Sequence, residues 1–223
     1  MTFIGREAER KAVRKALEAG QGVVLRGRFG IGRTALVRQV ADDLGPRWRF
    51  VFVDSRETPA SVCVWLVDAL LVPPRRRPLT PGTYRANRSQ LSKGRRVPGK
   101  PVVVLDDIGH LTYAKWDFLR FLTKLPQLRI VAIVESFLPE CDVTRLRAVL
   151  YPSIGLDLAH LSLAASLAFF AEASDRYALG WGPAHLRLLA TSRGGYPLEM
   201  SLAVAAARTA HEKVGLAAPK ARP

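Results

Sequence analysis

Two stretches of the chain have almost no polar face: "PVVVLDD" at 101–107 and "LRIVAIVES" at 128–136. A strand with one wet side alternates apolar and polar residues. A run that is apolar at every position must be covered on both sides, as in the interior of a parallel sheet. "GVVLRG" (22–27) and "WRFVFVD" (48–54) read as two further strands, and "SIGLDL" (153–158) as a final edge strand. Helical patterns fall between them. The one at 6–20 carries an apolar stripe of Ala12, Val13, Ala16 and Leu17 and stops at Gly20. Others cover 33–45, 58–72 (opened by Thr58 and Pro59), 113–125 and 142–150. Strand and helix in alternation predict an α/β fold with a parallel sheet flanked by helices. After residue 158 only helices follow, at about 162–179, 183–192 and 197–213. The expected organisation is an α/β domain at 1–158, a small helical lid domain at 159–215 and a flexible tail at 216–223.

The turn between the first strand and the second helix is "GRFGIGRT", residues 27–34. Gly27, Gly30 and Gly32 let the backbone turn tightly and present N–H groups to phosphate oxygens. The helix that starts at Arg33 adds the positive end of its dipole. The spacing G-x-x-x-x-G-x-T between a strand and a helix is that of a P-loop, the phosphate cradle of nucleoside triphosphatases. Gly27, Gly30, Ile31, Gly32, Arg33, Thr34 and Ala35 are the candidate nucleotide-binding residues, and the Thr34 hydroxyl is a candidate magnesium ligand. Arginine stands at 33, where such loops carry lysine. Its planar fork need not reach the point a lysine ammonium reaches, so binding is expected to survive better than catalysis. The alternative is a loop that keeps the shape without the ligand.

Asp106 and Asp107 follow "VVVL" at a strand's carboxyl end, where ligands gather in open parallel sheets. Asp106 is the second candidate magnesium ligand. Asp107 stands where a glutamate commonly polarises the attacking water, one methylene shorter. The next strand ends in Glu135 and Ser136, and Ser136 is a candidate sensor of the terminal phosphate. Arg145 or Arg147 could reach a neighbouring subunit's nucleotide as a finger, the other reading being a solvated helix face.

Net charge is +15. Such a balance predicts attraction to polyanions, and it is unevenly placed. From Ala69 to Leu105 there is no acidic residue, while Arg75, Arg76, Arg77, Arg85, Arg88, Lys93, Arg95, Arg96 and Lys100 all lie there. The Pro- and Gly-rich part, 73–100, reads as a basic insertion, mostly loop, with a short helix at "YRANRSQLSK". These nine cations are the candidate nucleic-acid contacts. Tyr84 is the only aromatic among them, which argues against base stacking. Cys63 and Cys141 make neither a disulfide framework nor a metal set. That cysteine usage reads as a reducing cytoplasm, and no apolar run approaches the roughly 20 residues a membrane span needs.

These motifs, in this order, resemble the AAA+ and STAND branch of P-loop ATPases. "FIGREAERKAV" (3–13) looks like the F-x-G-R-E-x-E opening of its origin-recognition, archaeal-ATPase and STAND groups, and "SRGGYPLEM" (192–200) resembles the GG-x-P segment of their lid helices. The resemblance covers nearly the whole chain. It implies ATP and Mg2+ as ligands, held between sheet and lid, with Phe3, Ile4, Gly5 and Arg6 near the adenine. The chain departs from the pattern at Arg33 and Asp107, and at Leu198, where a sensor arginine is usual.

The resemblance implies an ATP-binding switch with weak or absent hydrolysis. Its expected partners are DNA, bound without sequence preference, and a protein such as a transposase or helicase, in a homo- or hetero-oligomer. The alternatives are a STAND-like signalling or scaffold ATPase, or a pseudo-ATPase subunit that acts through protein partners.

Overall fold

The computed structural model describes residues 3–72 and 82–217, with side chains through residue 211. Within them the order is α1 (Glu7–Glu18), β1 (Gly22–Gly27), α2 (Arg33–Leu44), β2 (Trp48–Asp54), α3 (Pro59–Leu70), α4 (Tyr84–Lys93), β3 (Lys100–Ile108), α5 (Tyr113–Thr123), β4 (Arg129–Glu135), α6 (Glu140–Val149), β5 (Ser153–Asp157), α7 (Leu163–Tyr177), α8 (Pro183–Ser192) and α9 (Pro197–Ala217). The chain forms two compact units. Of the described residues, one comprises 8–29, 33–72 and 82–158, and the other 3–7, 30–32 and 159–217.

In the first unit the five strands pair in parallel in the order β2-β3-β4-β1-β5. Val103 and Leu105 of β3 enter one apolar cluster with Leu66, Trp116, Phe118, Leu122 and Leu146. Val102 and Val104 are equally buried, and the period of two turns them to the opposite face. This is the two-sided burial that the apolar runs predict. Side-chain oxygens close helix starts as expected of N-caps: Thr58 accepts from the Ser61 N–H at 3.2 Å, Thr83 from Ala86 at 3.3 Å and Thr112 from Lys115 at 3.3 Å.

In the described part of the basic insertion, 82–100, the short helix expected at "YRANRSQLSK" is α4, and its packing ties the segment to the domain. α4 packs on α3, and Leu91 joins the central core. Leu71 and Arg96 form an antiparallel bridge that ties the two ends of the insertion together. Arg75, Arg76 and Arg77 lie outside the described residues, as does the end of the tail, 218–223.

In the second unit α7, α8 and α9 gather around Phe169, Phe170, Ala173, Ala190, Met200 and Val204, with Ile4 and Trp181 against them. Arg6 is buried there and donates to the Ala159 carbonyl at 2.5 Å. Gly195 and Leu161 approach so closely that a Cβ on Gly195 would lie 2.1 Å from the Leu161 oxygen. Only glycine suits this position, because φ is also +70°.

Candidate functional site

The parallel register brings the strand ends level. Gly27 of β1 is opposite Glu135 of β4, and Asp54 of β2 is opposite Asp106 of β3. The chain leaves β1 at Gly27 and re-enters helix at Arg33. In between, Gly30 and Gly32 take φ of 76° and 95°, a region glycine enters without penalty. A Cβ on Gly32 would meet nothing within 4 Å, so its backbone faces open space. A Cβ on Gly30 would come within 2.7 Å of the Leu198 Cβ.

α2 then delivers two side chains with different fates. Thr34 donates its hydroxyl to Asp106 Oδ2 at 2.8 Å. The other carboxylate oxygen, Oδ1, accepts the Asp107 N–H at 3.0 Å. The two candidate magnesium ligands, 72 residues apart in the chain, are thus in direct contact. Arg33 turns elsewhere. Its guanidinium donates to the Val134 carbonyl at 2.5 Å and to the Glu135 carboxylate. The arginine side chain is 5% exposed and the glutamate 12%.

Asp107 lies within a break in the β3–β4 register, between Leu105 and Ile108, and has φ +57°. A residue other than glycine in that region carries a strain of order ~1 kcal/mol. Its carboxylate lies 3.9 Å from the Arg56 guanidinium. Arg56 is anchored by Asp54, donating Nε to Oδ1 and Oδ2 at 3.0 and 2.9 Å and Nη2 to Oδ2 at 2.6 Å. These bonds hold the Asp54 carboxyl below its usual range and raise Arg56 above its own. This Asp54–Arg56 pair is absent from the candidates that motif spacing provides. A charged pair two residues apart just past a strand's carboxyl end is the signal that could have found it.

The other candidates are dispersed. Ser136 is exposed, and its carbonyl accepts from Arg26, which also pairs with Glu140 at 2.5 Å. Arg145 lies over the Trp116 ring at 4.4 Å. Arg147 lies along Gly155 of β5, with Nε 3.2 Å from where a Cβ would sit. In the second unit Gly5 has φ +79° and donates its N–H to Glu7, while Ile4 packs into the helical core. Phe3 is half-buried, Ile31 fully buried and Ala35 exposed.

The described basic residues fall into two kinds. Arg85, Lys93, Arg95 and Lys100 are exposed, with Lys100 against the Trp48 ring. Arg88 instead pairs with Asp117 at 2.7 Å and lies over the Phe121 ring at 4.4 Å. Arg96 donates to the Pro126 carbonyl at 2.8 Å, and burial lowers its affinity for the proton. These two are engaged in holding α4 and its flank to the domain.

A five-stranded parallel sheet in this order, a glycine turn from β1 into a helix, and a threonine on that helix bonded to an aspartate at the end of β3 together define a P-loop ATPase fold. The chain belongs to the AAA ATPase domain family, whose model matches residues 2–134. Among solved structures it is similar to the Orc1 protein of Aeropyrum pernix in complex with DNA, with 22% identity and a TM-score of 0.67 over 95% of this chain and 62% of that one. It is also similar to the RuvB Holliday junction branch migration motor of Thermotoga maritima, with 17% identity and a TM-score of 0.61 over 96% of this chain and 64% of that one. A third similar structure is the replication initiator DnaA bound to AMPPCP and single-stranded DNA, with 15% identity and a TM-score of 0.59 over 91% of this chain and 61% of that one. At these identities the likeness is one of fold, and the chain spans less than two thirds of each of these proteins. No curated protein matches the sequence. Among the described residues no helix is long and apolar enough to cross a membrane.

Proposed function

We propose that this domain is an ATP-binding switch that contacts nucleic acid without sequence preference and hydrolyses ATP slowly or not at all. The observation that carries the reading is the Thr34–Asp106 contact beside the glycine turn. A hydroxyl and a carboxylate are the hard oxygen donors that magnesium takes alongside phosphate oxygens. Main-chain N–H groups of residues 30–35, with the dipole of α2, would hold the phosphates. Magnesium, when bound, supplies neutralisation of phosphate charge. Thr34 and Asp106 would orient it, while Asp107 and Ser136 would face the reacting end. Hydrolysis is expected to be weak because Asp107 is short and lies near Arg56, and because Arg33 is engaged by Glu135. Arg145 or Arg147, proposed as fingers, would have to leave Trp116 or Gly155 first.

Arg85, Lys93, Arg95 and Lys100, with Arg75, Arg76 and Arg77, would contact phosphodiesters, and Arg88 and Arg96 would add charge from behind. Two of the similar folds support this direction: the Orc1 structure is a complex with DNA, and the DnaA structure holds AMPPCP and single-stranded DNA. Assembly as a homo- or hetero-oligomer, with recruitment of a transposase or helicase in a cytoplasmic setting, completes the proposal.

Calorimetric titration with ATP, with and without magnesium, tests the reading. Saturable, magnesium-enhanced binding is expected, and no binding at millimolar Mg·ATP overturns it. The engagement of Arg33 also favours a second reading, a pseudo-ATPase or STAND-like subunit that acts through protein partners. Nucleotide binding with no DNA affinity at low salt selects that one.

A further inference from the structure

We infer that Arg33 is a clasp between α2 and β4 and not a phosphate ligand, so that the nucleotide site holds di- and triphosphates with nearly equal affinity and reports occupancy, not the state of the terminal phosphate. The inference rests on the nucleotide-binding reading above and deepens it. Its structural basis is the position of the guanidinium. Arg33 is the first residue of α2, where a cation would reach the outer phosphates, yet both of its bonds go to the last two residues of β4, Val134 and Glu135. β4 is the strand paired with β1, and Gly27 stands in register with Glu135. The clasp therefore joins both ends of the loop to one strand end.

The arrangement resists rearrangement. At 5% and 12% exposure the two charges are nearly out of water. Drawing Arg33 toward a phosphate would leave the Glu135 carboxylate buried without its counter-charge, and removing one member of such a pair costs more than the pair itself contributes. Neighbouring cations are also occupied: Arg56 is on Asp54, and Arg26 is on Glu140 and the Ser136 carbonyl. Arg28, exposed at the second loop residue, is the remaining basic side chain of the loop. Backbone N–H groups would hold the inner phosphates, and the Thr34–Asp106 pair would hold the metal. They give little reason to prefer a third phosphate. A ligand shifts an equilibrium only by its differential affinity, so a site of this kind responds to the presence of nucleotide.

The test measures affinities of magnesium-bound ADP and of a β,γ-methylene triphosphate analogue by calorimetry, and thermal unfolding without nucleotide, for the native chain and for Arg33→Lys, Arg33→Met and Glu135→Gln. In the native chain the two affinities are expected to agree within about threefold. Glu135→Gln and Arg33→Met are expected to lower the unfolding midpoint in the absence of any nucleotide. Glu135→Gln leaves the affinity ratio unchanged, since the amide and the Val134 carbonyl still accept from Arg33. Arg33→Lys is expected to lower the midpoint and to raise the preference for the triphosphate to about tenfold, the freed ammonium being short and mobile. A native preference for the triphosphate of about tenfold or more, whichever cation supplies it, overturns the inference. So does a loss of nucleotide affinity in Arg33→Met with an unchanged midpoint. If neither nucleotide binds, the parent reading and the selectivity fail together, and the nucleotide-free midpoints still decide whether the clasp exists.

Discussion

The Thr34 hydroxyl bonds the Asp106 carboxylate at 2.8 Å, joining the first turn of α2 to the carboxyl end of β3. The contact orders the strand end, because Asp106 in turn accepts the Asp107 N–H, and in the proposed site it would pair two oxygen donors for one magnesium ion. Replacing Thr34 by alanine is expected to abolish the magnesium enhancement of nucleotide binding. The accompanying loss of stability should be about 1 kcal/mol, the net worth of one neutral-to-charged hydrogen bond in a half-exposed setting. Asp106→Asn should do the same to magnesium dependence. Titrations with and without magnesium, with denaturant unfolding alongside, check both.

The two cysteines should differ in reactivity by orders of magnitude. Cys63 is buried on α3, and desolvation pushes its thiol up to about 11, against a small opposing pull from Arg88. Cys141 is exposed at the start of α6. A thiolate is the reacting form, so a thiol reagent at pH 8 is expected to modify one cysteine quickly and the second only as the protein unfolds. Cys141→Ser should abolish the fast phase.

Acid should weaken the domain through Asp43. Burial alone would raise its carboxyl, but hydrogen bonds from Arg10 and Gln39 and the charge of Arg10 outweigh that and lower it from 3.8. With a depressed folded value, the stabilisation is present above the unfolded value and is lost as pH falls through the folded one. Unfolding midpoints measured from pH 6 to pH 3 should fall more shallowly for Arg10→Ala than for the native chain. The difference at pH 6 should be no more than about 1 kcal/mol, since the pair is partly solvated.

Gly195→Ala should destabilise the helical unit by more than about 2 kcal/mol, because the methyl would collide with the Leu161 carbonyl in a backbone region that also disfavours alanine. Gly180→Ala offers the comparison. It shares a positive φ, and its Cβ would meet nothing within 4 Å, so only the backbone penalty of about 1 kcal/mol remains. Equal losses in denaturant unfolding would contradict the steric account.

The basic residues should separate by role. Alanine at Arg85, Lys93 and Arg95 together is expected to reduce the salt dependence of DNA binding by about 0.9 in log–log slope for each phosphate no longer neutralised, with the unfolding midpoint unchanged. Arg88→Ala should instead lower the midpoint, since Asp117 and the Phe121 ring are then without their partner. Fluorescence anisotropy across a salt series, read beside thermal unfolding, distinguishes the two.

Elements carrying a local signature are legible in the residues alone. Val102–Leu105 and Ile130–Val134 are apolar at every position, and burial on both faces of a parallel sheet is the arrangement that satisfies them. The glycine turn is visible because its spacing, like its backbone requirement, lies within eight residues. The insertion is legible only in part. Its short helix at 84–93 is visible in the residues, but not that Leu91 enters the core or that Arg88 and Arg96 reach partners about 30 residues away. Composition counts charges and cannot say which of them a ring or a carbonyl will take up.

By itself, then, the order of residues determined the alternation of strand and helix, the family and the chemical types gathered at the strand ends. Tertiary structure alone decided their partners. It set Thr34 on Asp106, and it gave Arg33 to a glutamate 102 residues further along. The reason is that secondary structure is governed by neighbours in the chain, while a charge pairs with whatever the folded sheet brings within a few ångströms.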